Sequence, residues 1–130
     1  MSQNTGVGSK IMEQLLFVFF EHQIKLKMFH FQTSNYGAHK ASDKYLEKFA
    51  ENFDRFMEVA QGIYNKLQTQ EISLKFQLNN DENIKDELKK FAEILNNDSD
   101  SFYQNNKDLL AIRDEMLADV NQLLYLLTFE

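Results

Sequence analysis

The chain contains no cysteine, no proline and no tryptophan, and only 4 of its 130 residues are glycine. Without cysteine there is no disulfide framework, no thiol redox chemistry and no thiolate zinc site, so any metal must be held by nitrogen and oxygen ligands. Without proline, and with few glycines, helices can run long between few interruptions. Long apolar runs are also missing: Leu15 to Phe20 is stopped by Glu21 and His22, far short of the roughly 20 residues that span a bilayer. Met1 to Ser9 carries no basic side chain before Lys10, which does not read as a signal peptide. Basic residues are in deficit, 14 Lys and Arg against 20 Asp and Glu, for a formal charge of −6. Sequence-independent attachment to DNA needs cationic side chains on phosphates, so direct DNA binding is not expected, and an acidic surface suits cations better. These absences predict a soluble cytoplasmic protein without a membrane contact.

What is present in quantity is phenylalanine, 12 residues, with 5 tyrosines and 5 methionines. The length suits one domain over residues 1–130, with 1–9 as a flexible tail. Ser9 can cap a first helix whose apolar residues Met12, Leu15, Leu16, Phe19, Ile24 and Leu26 recur at helical spacing up to about Phe31. Thr33, Ser34, Asn35 and Gly37 mark a tight turn. A second amphipathic run then carries Tyr45, Leu46, Phe49, Phe53, Phe56, Met57, Ala60, Ile63 and Leu67. Ile72, Leu74, Phe76 and Leu78 alternate, but with no second strand to pair with, 68–80 is expected to be a packed loop. Asn80, Asp81 and Glu82 open a short third helix through Ile84, Leu88, Phe91 and Leu95. Asp98 to Ser101 caps a last one running from Phe102 to Leu127. The fold class is therefore all-α: four helices with two short connections and a longer crossover between the second and third.

Two of the three histidines, His30 and His39, flank the first turn, and Asp54 and Glu58 follow on the second helix. Side chains four apart lie about 5–6 Å from each other on one helical face, so this Asp and Glu can address one cation or a close pair. Imidazole with carboxylate suits iron, with zinc as the alternative. The plain reading is a histidine hydrogen-bonded at a helix end and carboxylates in water. At about 100° per residue, however, Asp43, Glu47, Glu51, Asp54 and Glu58 form one acidic stripe opposite the phenylalanine face. Such a stripe is either solvated or meets a second subunit that supplies histidines and bound cations. His22, beside Glu21 in mid-helix, has no evident carboxylate partner and reads as a surface or boundary residue.

Phe29-His30, His39-Lys40-Ala41 and Asp54-Arg55-Phe56-Met57-Glu58 resemble the Dps branch of the ferritin superfamily. They are closer still to short ferritin-like proteins encoded by large DNA viruses and phages. The resemblance covers roughly residues 12 to 66. It implies a ferritin-like bundle, a homodimer or higher homo-oligomer, and iron bound between subunits, mononuclear or binuclear, by His30 and His39 of one chain and Asp54 and Glu58 of another. Oxidation of Fe(II) by peroxide or oxygen would follow, as in a ferroxidase. The departures are a shorter interval between the histidines, Phe31 at the usual Trp position, and the lack of an extra helix in the crossover and of a Lys-rich tail, so the twelve-subunit cage is not implied. The competing expectation is a non-catalytic structural or interaction protein with a vestigial site, for example a component of a virus particle.

Overall fold

The computed structural model describes residues 5–78, 84–97, 100–103 and 106–129. They form five helices and no strand: α1 (Thr5–Gln32), α2 (Tyr36–Ile63), α3 (Ile84–Asn96), the single turn α4 (Asp100–Tyr103) and α5 (Lys107–Leu126). The four long helices make a bundle. Each buries one stripe, and Phe19, Phe29, Phe49, Phe56, Phe91 and Phe102 are fully enclosed at its centre. Edge-to-face ring pairs join the helices, with Phe19 meeting Phe49, Phe53, Phe56 and Phe91 at centroid separations of 5.1–6.2 Å. That geometry sets the positive ring edge on the negative ring face and adds to the simple gain from burial.

α1 and α2 are joined by three residues. Asn35 caps α2 by accepting from the Ala38 amide, and the Thr33 hydroxyl accepts from the Asn35 amide, which locks the predicted turn. α1 packs on α2 and α3, and α5 packs on the same two helices, so α2 and α3 lie diagonally across the bundle among the described residues. The chain between them runs alongside α1: Thr69 donates to Glu13, and farther on Phe76 lies under the Lys25 ammonium. No helix among the described residues is long and apolar enough to cross a membrane.

Four details depart from the sequence reading. α1 begins at Thr5 rather than at Ser9, so the second half of the expected tail is helical. There Gly8 lies against the Tyr64 ring, so close that a Cβ would overlap it. α2 stops at Ile63, short of Leu67, where Tyr64 turns in to that contact, donates its hydroxyl to the Phe102 carbonyl and stacks on the Phe102 ring. The stretch after it is a loop, as expected, but it packs only in part, with Ile72 and Leu78 exposed and Leu74 and Phe76 half-buried. The last helix is interrupted, since α5 starts afresh after Asn106, whose backbone is non-helical and whose amide donates to the Tyr103 carbonyl. The third-helix start expected at Asn80 to Glu82 lies outside the described residues.

Candidate functional site

His30 sits in the last turn of α1 and His39 in the first turn of α2, and the turn between them brings the rings face to face, 3.9 Å apart and 16° from parallel. Each donates from Nδ1 to the other's backbone, His30 to the His39 carbonyl at 2.9 Å and His39 to the His30 carbonyl at 2.8 Å. The His30 carbonyl belongs to the last turn of α1, where carbonyls lack an intrahelical partner, so His39 also finishes that helix. Ser42 donates to the same His39 carbonyl and offers its oxygen to His30 Nδ1 at 3.2 Å. A carbonyl can only accept, so both Nδ1 atoms carry a proton, and in the neutral form of each ring Nε2 is the atom with the lone pair. That is the tautomer a metal-ligating histidine needs. His30 Nε2 lies 3.9 Å from the half-exposed carboxylate of Asp43.

Asp54 and Glu58 are both exposed on α2, as are Asp43, Glu47 and Glu51, so the acidic stripe faces away from the core as its angular position predicts. Fifteen residues of helix separate Asp54 from His39, about 22 Å at 1.5 Å per residue. The structure therefore brings the histidines together and the carboxylates together, but not the two pairs to each other. Among the described residues no group of three or more His, Asp or Glu converges in a way that could hold a metal ion within one chain. Asp54 also borders an apolar groove of about 360 Å³ between α1 and α2, lined by Leu16, Phe20, Ala50 and Met57. On the same side of α1, Ile24 is 41% exposed, against its expected place in the core, and Phe31 is 64% exposed.

A second polar cluster was not anticipated. His22, expected at the surface or boundary, is only 1% exposed and stacks on Phe91 at 3.8 Å. Its partner is Glu87 of α3, 8% exposed, whose carboxylate accepts from Nδ1 at 2.8 Å and from the Lys25 ammonium at 3.3 Å. Tyr45 donates to Nε2 at 2.7 Å. The signal was present in the sequence: His22 falls three residues after Phe19 and four before Leu26, on the core face of α1, and Glu87 adjoins the core residue Leu88. Burial lowers the pKa of His22, against the pull of Glu87. Burial would raise Glu87, but the hydrogen bond from His22 and the charges beside it outweigh that and hold it low. Burial, with Asp119 and Glu87, raises Tyr45 well above the usual phenol value. The chain is thus a neutral phenol, a neutral imidazole and a carboxylate paired with Lys25, which Glu21 also approaches at 3.8 Å.

The lowered His22 fixes the sign of a pH effect. Unfolded chains take up a proton at this residue near pH 6.5, whereas the folded protein resists it. The contribution is whole above that pH and is lost as the pH falls below it, by at most about 1.4 kcal/mol per pH unit for one proton. Glu87, held low, adds a loss of the same sign below about pH 4.3. Thermal unfolding should give a lower Tm at pH 5.5 than at pH 7.5, with a shallower dependence in His22→Gln. Superimposable profiles for the two proteins would refute the assignment.

The profile of a family of unknown function, DUF5856, matches residues 30–127. No curated protein and no solved structure matches the chain.

Proposed function

The chain belongs to the DUF5856 family of unknown function, and from its geometry we propose that it binds and oxidises Fe(II) at a Dps-like site completed by a second copy of itself. The observation that carries this reading is the separation of a ready ligand set into two halves. His30 and His39, each tied at Nδ1, leave Nε2 as the available ligand atom at one end of α2, and Asp54 and Glu58 stand about 22 and 28 Å from His39 along the outer side of the same helix. A copy related by a twofold axis, with its α2 antiparallel, sets each half against the other and makes two equivalent sites. The groove beside Asp54 and the exposed Ile24 and Phe31 supply apolar surface for that contact, and the acidic stripe gains neutralising cations. The diagonal placement of α2 and α3, with a connection running the length of α1, supports the ferritin-like layout.

Fe(II) is the substrate here, and the chain's own part is to hold it between imidazole nitrogen and carboxylate oxygen while peroxide or oxygen takes the electron. Zn(II) suits the same donors. The rival reading, a structural or interaction protein with a vestigial site, has one observation in its favour: the reciprocal hydrogen bonds of His30 and His39 already give both residues a role at the helix ends. Anaerobic titration separates the two. Fe(II) should bind at roughly one or two per chain, since a dimer carries two equivalent sites, and ferric absorbance should then appear on adding peroxide faster than with iron alone. Oxidation no faster than the buffer control would leave the structural reading.

A further inference from the structure

The polar chain at the centre of the bundle takes no part in the metal chemistry proposed above, yet its hydrogen bonds are arranged for a different kind of step. Glu87, paired with Lys25, is an acceptor only, so His22 Nδ1 carries the proton that bridges their 2.8 Å contact. In the neutral ring that burial favours, Nε2 has a lone pair, and the Tyr45 hydroxyl 2.7 Å away donates to it. A neutral phenol thus points its proton at a neutral base, inside a shell that includes Phe49 and Phe91. Loss of an electron makes a phenol a very strong acid, so a phenol oxidises readily only where a base already in contact takes the proton as the electron leaves. Tyr64 lacks this arrangement, because its hydroxyl donates to the Phe102 carbonyl, which is no base. Tyr36 and Tyr125 are largely exposed, their rings against His39 and Phe129.

We propose that Tyr45 and His22 form a proton-coupled redox site, in which Tyr45 holds one oxidising equivalent as a buried phenoxyl radical. In the step, Tyr45 gives one electron to a one-electron oxidant and its hydroxyl proton to His22 Nε2, which leaves a neutral phenoxyl and an imidazolium facing the Glu87 carboxylate. Re-reduction by one electron returns the proton. Any oxidant strong enough to oxidise a neutral phenol serves. If Fe(II) is oxidised by peroxide as proposed above, a hydroxyl radical formed there takes the electron and becomes hydroxide, the histidine pair being about 9 Å from Tyr45 along α2. That source rests on the proposed function, whereas the tyrosine site does not.

The test needs no metal. The full chain is irradiated with tris(bipyridine)ruthenium(II) and a sacrificial acceptor, which photogenerates ruthenium(III), and is freeze-quenched for electron paramagnetic resonance. A persistent tyrosyl signal is expected in the wild type and in Tyr36→Phe/Tyr125→Phe, which leaves the core untouched. It should be lost in Tyr45→Phe, and lost in His22→Gln, which can still accept from Tyr45 and donate to Glu87 but offers no basic nitrogen. Loss of the signal in Tyr36→Phe/Tyr125→Phe would overturn the proposal, as would an undiminished signal in folded Tyr45→Phe or His22→Gln. Because iron is absent, such a failure counts against the tyrosine site and not against the metal reading.

Discussion

Replacing His22 with alanine should destabilise the bundle by about 2–6 kcal/mol, because two buried groups each lose a hydrogen-bond partner at a cost of about 1–3 kcal/mol. The change takes more than one contact. Glu87 loses the donor at Nδ1, Tyr45 loses the acceptor at Nε2, and both remain buried, each carrying the desolvation cost of an unmade hydrogen bond. A slot also opens against Phe91, whose ring stacks on the imidazole. For a domain of this size the loss corresponds to a fall in Tm on the order of 10 °C or more. Asp54→Asn, on the exposed face, should stay within about 0.5 kcal/mol of wild type. Denaturant or thermal unfolding of the two variants side by side makes the check, and a wild-type Tm for His22→Ala would show that the cluster holds nothing together.

Much of the architecture was legible because helical periodicity is written directly in the positions of large apolar residues. Phe49, Phe53, Phe56 and Ala60 recur at the spacing that buries one face of α2, and the Thr33–Asn35 turn announces itself by its capping chemistry. What periodicity does not carry is a contact between distant segments. The early end of α2 depends on Tyr64 meeting Gly8 and Phe102, and no local window contains those three residues. The same limit concealed His22. A histidine among phenylalanines can be placed on a core face, but its acceptability there depends on Glu87, 65 positions away. The alternation over 72–78 belongs to a loop, as expected without a second strand, but only Leu74 and Phe76 find partial cover, since apolar residues imply burial only if a surface exists to cover them.

The candidate site was legible by residue type and only half by geometry. Spacing paired Asp54 with Glu58 and set them off the core, as the structure has them. That the imidazoles stack, and that each Nδ1 is tied to the opposite backbone, follows from a three-residue turn whose path no composition reveals. In the proposed reading the two halves meet only between two chains, which neither one sequence nor one folded copy contains.

The largest effects should therefore come from separating the halves. His30→Ala/His39→Ala and Asp54→Asn/Glu58→Gln should each abolish tight Fe(II) binding while the helices remain. Loss in the first variant with full binding in the second would restrict the site to the histidine pair. Mixing the two variants under conditions where subunits exchange, and titrating with Fe(II), tests the shared site most directly. A mixed dimer joins the carboxylates of one variant to the histidines of the other and so rebuilds one site of its two. With random exchange about half the dimers are mixed, and roughly a quarter of the wild-type binding should return. Demonstrated exchange with no return of binding would contradict a site shared between two copies of this chain.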